Sequence, residues 1–411
     1  MPILLEEDLQ RPLPRMYRVR QQFDETRLED VAGTVRAEFA KPEIRALVKP
    51  GMRIAVGVGS RGIQNLYTIV ETTVNSLKEL GAEPFIVSAM GSHGGGTEEG
   101  QREVLAGYGI TEERLGVPVV TTVDTVYLGN CANGRPVWFD RAAYEADLIV
   151  PINRVKLHTD FVGPIQSGLC KMLVIGLGNH KGCSAVHEEA PEVFADAIEE
   201  TVRLILQKAP VGFGIAILEN AYDKTYAVEA VPAEHLVERE KELVQIAKGN
   251  MPYIMLDEAD VIVCGAIGKD ISGAGFDPNI LGRSSVLKQF VLHIPRYQRL
   301  VLCDVTPASH GNGIGVGLFD VITKKVAEQL DLESMYANAI ACNCLGDASV
   351  PCTVDDEETA IRVALKCCRN IDRDHPRIIR IQNTLHLGEI EVSEALLDAV
   401  RADSRMSLIE N

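Results

Sequence analysis

Short apolar runs, closed off by glycine and polar residues, recur through the first 220 residues, with longer stretches of helical spacing between them. Arg53–Val58 (RIAVGV), 84–90 (PFIVSAM), 119–123, 147–152 and 213–218 read as strands. They are apolar throughout rather than alternating, as strands covered on both faces are. Between the first two, Leu66, Ile69, Val70, Thr73, Val74, Leu77 and Leu80 fall on one face of a helix that Gly81 closes. Thr97 is the N-cap of a second helix. A third, over 191–207, turns Phe194, Ala197, Ile198, Val202 and Ile205 inward. Strands alternating with helices predict βαβ units and a mostly parallel sheet. After a charged helical connector, 232–251, the pattern resumes with strands at 260–266, 300–305 and Ile378–Ile381 and helices at 319–330 and 359–369. The expected class is α/β, with two α/β domains of mostly parallel sheets. An N-terminal domain covers 1–255, beginning with a polar arm and a helix over 26–48. A C-terminal domain covers 256–391, and the last helix, in 392–411, packs back on the first domain.

Composition narrows the partners. The chain has 411 residues, 46% apolar, and a net charge of −17. Nucleic acid and anionic membranes select a basic face, so neither is expected as a partner. A small anion remains compatible, because a local basic pocket can sit on an acidic protein. The first residues are too charged and too broken by proline for a signal peptide, and no apolar run reaches membrane-spanning length. Ten scattered cysteines, many inside apolar runs, read as reduced thiols and a cytoplasmic protein. Cys342, Cys344 and Cys352 lack the second pair that a structural zinc site needs.

The candidate chemistry lies just after the strands. Ser60-Arg61, Ser92-His93 and Lys156 with His158 follow three of them, and in a parallel sheet such ends share one edge, where ligands bind. The glycines beside them, Gly94 among them, let backbone N–H groups approach an anion. Neither loop is a Walker A motif or a GxGxxG fingerprint. A lone loop histidine is more often structural than catalytic. His93 departs from that expectation because three glycines in a row follow it; His158 does so because it follows a strand directly. His180 and His187 are evenly balanced. Lys171 precedes an apolar run, and burial lowers a lysine's pKa and makes it nucleophilic. Arg61 offers a fork for carboxylate or phosphate, or a helix-start ion pair. Lys269 and Asp270 are a possible internal ion pair. Two histidines at one carbon suit two-base chemistry, and a lysine near a metal-binding histidine suits a tethered cofactor.

GSRG at 59–62, GSHGG at 91–95, RVKLHTDF at 154–161, SGLCKM at 167–172, GLGNHKG at 176–182 and then His187 carry a resemblance to the nickel-dependent lactate racemase family. The resemblance implies two α/β domains with an active-site cleft between them. It implies a nickel-pincer nucleotide, a dithio-substituted pyridinium mononucleotide held covalently on Lys171. His187 would be the nickel ligand, with His180 the competing choice. His93 and His158 would be the acid/base pair, and Ser60, Arg61, Ser92 and Gly94 would line the cofactor. Arg61 and Lys269 would face the substrate. The implied activity is racemisation or epimerisation of a small anionic 2-hydroxy acid by reversible hydride transfer, with the cofactor-building enzymes as partners; oligomeric state is left open. Val58 stands where the family has an acidic residue, the interval from His158 to Lys171 is longer, and SGAGFDPN at 272–279 replaces the family's substrate-facing pair, so an acid other than lactate is expected. The competing readings are a zinc metallohydrolase built on His93, His158 and His187, and a non-catalytic nucleotide-binding homologue.

Overall fold

The chain's first strand, β1 (Met16–Gln21), already departs from the sequence reading. In the computed structural model, which describes residues 3–59 and 62–410, Glu25–Met251 form one unit, and the segments before and after it form the other. The arm therefore belongs with the C-terminal part of the chain. Val19 is buried in that part's core. The buried Gln21 donates to the Leu387 carbonyl at 2.7 Å and accepts from Met255 N–H at 2.7 Å. A polar-looking arm gains these partners only by folding against segments 234 and 366 residues away, which no local pattern reveals.

Glu25–Met251 fold around a six-stranded sheet made of β2 (Arg53–Val58), β3 (Glu83–Ser88), β4 (Val119–Val120), β7 (Leu148–Arg154), β8 (Phe213–Glu219) and β9 (Thr225–Pro232), with the hairpin β5 (Thr125–Asn130) and β6 (Pro136–Asp140) apart from it. The order is β4-β3-β2-β7-β8-β9; all neighbours are parallel except β8 and β9. Ile54, Val56, Val150, Ile152, Ile215 and Ile217 form its core with Ile69, Val70, Val74 and Leu77 of the helix Leu66–Glu79. The helix expected over 26–48 is two, Val31–Ala40 and Pro42–Arg45, because Pro42 cannot continue a helix but suits the start of one.

The other unit contains β10 (Val261–Cys264), β11 (Arg299–Leu302), β12 (Val321–Thr323), β13 (Cys352–Val354), β14 (Ile378–Ile381), β15 (Glu389–Ser393) and β16 (Met406–Leu408). Its sheet runs β13-β12-β11-β10-β14-β15-β1-β16, parallel through β14 and antiparallel beyond. The expected helix over 319–330 begins as β12 and turns helical only at Lys324. The helix expected to return to the first domain, Leu397–Ala402, follows β15 and belongs to this unit, where Leu397 and Val400 join the core. Among the described residues no helix is long and apolar enough to cross a membrane.

Candidate functional site

Past β7 the chain makes an excursion closed at its base by Lys156 and Ser167, each donating its N–H to the other's carbonyl. Within it, buried Gln166 accepts His158 N–H at 2.7 Å and donates to the Gly163 carbonyl at 3.1 Å. Asp160 N–H donates to His158 Nδ1 at 3.0 Å. A ring nitrogen that accepts carries no proton, so the proton of this neutral ring sits on Nε2. Nε2 is hydrogen-bonded to Lys171 Nζ. An Nε2–H that donates needs an acceptor, and a lysine accepts only as the neutral amine. The contact therefore selects the nucleophilic form of a half-buried Lys171.

Lys171 ends the turn Leu169–Lys171, which runs through a π-turn, Met172–Gly176, into the helix Asn179–His187. The stretch is helical although glycines, which in a sequence signal loops, punctuate it. Those glycines mark close packing instead. A Cβ on Gly176 would lie 2.8 Å from the Ala89 carbonyl oxygen, and one on Gly178 2.3 Å from that of Val174.

The helix carries His180, Cys183 and His187 at i, i+3 and i+7, which is one face. His187 Nδ1 donates to the Cys183 carbonyl at 2.7 Å, and Cys183 Sγ lies 3.5 Å from the same nitrogen. Burial opposes charge on both groups; the hydrogen bond between them still holds the Cys183 thiol below its ordinary pKa and His187 above its own. The rings of His158, Phe161, Phe194 and His187 follow one another at 4.3, 4.8 and 5.1 Å, so both histidines flank one aromatic wall.

The glycine loop after β3 lies along the same helix. Ser92 Oγ is 3.9 Å from Cys183 Sγ, and a Cβ on Gly96 would lie 3.9 Å from that of His180. Gly94, at φ +65°, has no room for a side chain: a Cβ would sit 2.6 Å from the Gly100 carbonyl carbon. Buried Gln101 accepts from Ser88 Oγ at 2.6 Å and donates to the carbonyls of Gly91 at 3.2 Å and His93 at 3.5 Å, which leaves the Ser92 and His93 side chains exposed. Ser60 and Arg61 lie outside the described residues. Lys269 is in the other unit, where its ammonium donates to the Gly273 carbonyl at 2.6 Å and bonds the Asn338 side chain; Asp270 accepts from the Thr306 hydroxyl. Among the described residues no three histidine, cysteine or carboxylate side chains are grouped to hold a metal ion.

Three of the groups that hold the site escaped the sequence reading: Gln166, Gln101 and Asp140. Asp140 ends β6 and is fully buried. It accepts from Ala143 N–H and from Asn179 Nδ2, each at 2.8 Å, and so fixes the start of the His187 helix. Burial pushes its carboxyl up to about 6. An acid with a raised folded pKa binds more protons folded than unfolded, so folding stability falls as pH rises from about 4 to about 6. Asp140→Asn removes that slope. It also gives the unpartnered Asn179 Oδ1 a donor once the Asn179 amide turns over. The variant is expected to be more stable than the parent at pH 8, by up to about 3 kcal/mol, and equal to it near pH 4, in urea titrations across that range.

Residues 12–196 match the family described as the lactate racemase N-terminal domain. Among solved structures, the lactate racemase apoprotein from Thermoanaerobacterium thermosaccharolyticum shares the fold, with a TM-score of 0.52 at 12% identity over 89% of this chain and 93% of that one. A protein from Thermotoga maritima also aligns, with a TM-score of 0.49 at 14% identity over 80% of this chain and 85% of its own. No curated protein matches the chain in sequence. The domain match covers the strand ends and loops that hold His93, His158, Lys171 and His187, so this part of the chain is similar to a lactate racemase N-terminal domain, and the chain shares the fold of the lactate racemase apoprotein.

Proposed function

We propose that this protein racemises or epimerises a small 2-hydroxy acid other than lactate, using a nickel-pincer nucleotide tethered to Lys171. The observation that carries the reading is the bond between Lys171 Nζ and His158 Nε2. The donor set fits the group. A neutral, half-buried amine is the form that can be acylated. His187 commits Nδ1 to the Cys183 carbonyl, which leaves Nε2 to a metal, the arrangement that second-shell partners impose on ligating histidines. Ser92 and the backbone around Gly94 line the adjacent loop, where N–H groups can meet a phosphate.

The chemistry that the bound cofactor would supply is reversible hydride exchange at the substrate's α-carbon. The protein's own groups bind the carboxylate and move the hydroxyl proton. His93 stands exposed on its loop for that proton. His158 must first exchange its Nε2–H for a lone pair, a change of tautomer that the Asp160 N–H opposes and that loss of the Lys171 amine to acylation permits. Arg61 is the proposed carboxylate partner.

The test is intact-protein mass spectrometry with nickel analysis on protein produced together with the cofactor-building enzymes. The reading expects a mass increment on Lys171, stoichiometric nickel and interconversion of enantiomers within a panel of 2-hydroxy acids. An unmodified Lys171 without nickel, where a known family member loads, would overturn it; reaction with lactate alone would overturn the substrate assignment.

A further inference from the structure

Glu240 lies on the helix Leu236–Asn250, which the sequence offered only as a charged connector. Its side chain is completely buried. Oε2 accepts Cys170 N–H at 2.9 Å, while Oε1 has no hydrogen-bond partner. A Cβ on Gly168 would fall 2.5–2.7 Å from the carboxyl carbon and both oxygens, so the carboxylate lies directly on the Gly168 Cα. On its other side, Gly168 is held through its carbonyl by Asn153 Nδ2 at 2.8 Å.

Gly168 is the N-cap of the Lys171 turn, and a glycine has no side chain with which to cap. The first N–H groups of a helix need acceptors, and buried ones left without them are costly. Glu240 supplies the acceptor from 70 residues away. Burial pushes this carboxyl up to about 7, and its titratable neighbour is the Cys170 thiol, itself raised well above its ordinary value by burial. A charged-type residue kept in so unfavourable a place calls for a function beyond packing.

We propose that Glu240 is a positioning residue for Lys171: it caps the Gly168–Lys171 turn from a distant helix and so holds the amine against His158, in its neutral and reactive form. This rests on the reading of Lys171 as the attachment point, but the two can be tested apart. Cofactor-free protein is treated with the N-hydroxysuccinimide ester of acetic acid across the neutral-to-alkaline range, and labelling at each lysine is read by peptide mass spectrometry. Lys224, exposed in the same unit, is the reference.

In the parent, Lys171 labels at lower pH than Lys224; equal profiles would overturn the neutral-amine reading itself. Glu240→Ala removes the cap and is expected to slow Lys171 labelling at neutral pH by about tenfold, the equivalent of one unit in its titration, with Lys224 unchanged. Glu240→Gln keeps an oxygen to accept Cys170 N–H and is expected to restore the parent profile. A purely packing role would leave Lys171 in Glu240→Ala with the parent profile, and that overturns the proposal. So does equal slowing of both lysines, which reports general loosening. If Glu240→Ala does not fold, Gly168→Ala, whose Cβ drives the carboxylate away, is expected to give the same selective loss, and an unchanged Lys171 in that variant overturns the proposal.

Discussion

Arginine in place of Lys171 is expected to give a protein that melts like the parent, gains no mass when produced with the cofactor-building enzymes, holds no stoichiometric nickel, and loses at least about a thousandfold in turnover. Two physical reasons combine. A guanidinium stays protonated at any pH the protein survives, so it cannot be acylated where an amine can. It is also only a donor, whereas the bond to His158 requires an acceptor at that position, because Asp160 N–H has already claimed Nδ1. Arginine puts a charged fork where the neutral amine stood, and an unchanged melting curve then makes a loss of loading report chemistry and not collapse. The measurement is mass and nickel content beside the melting curve. A mass increment that persists in Lys171→Arg places the tether on another residue and removes Lys171 from the mechanism.

The strands that position the site were legible because they are buried on both faces and therefore apolar without interruption: β2, β3 and β7 lie within a residue or two of the runs that announced them. The N-cap at Thr97 was equally plain, and its Oγ accepts from Gly100 N–H. What failed was long-range or double-edged. The glycines of 176–182 signal loops and tight helix packing alike, and only the neighbouring Ala89 and Val174 carbonyls decide between them. Glu240 looks like one more solvated charge in a helix rich in them, until the fold lays it on Gly168. β15 and the arm strand β1 pair across the length of the chain, so the pattern that suggested a helix from Val392 had no partner to correct it.

His93 and His158 separate the two halves of the proposed chemistry. Loss of a general acid or base slows turnover by about a hundred- to ten-thousandfold, and His93→Ala is expected to fall in that range per nickel bound. Loading in this account depends on the bond between Lys171 and His158 and not on His93, so the nickel content of His93→Ala should match the parent's. His158→Asn is expected to lose turnover on the same scale and, in addition, to load poorly. Asparagine is too short to place a donor where Nε2–H stood, so the contact that favours the neutral amine at Lys171 is lost and the amine shifts toward the protonated form, which does not attack. The measurement is nickel and mass increment for both variants, followed by kcat and KM per loaded site. Unequal loading with equal loss of kcat assigns His158 to both steps and His93 to one. Equal, full loading of the two variants removes the His158–Lys171 bond from cofactor attachment and leaves it a consequence of packing around Gln166 and Phe161.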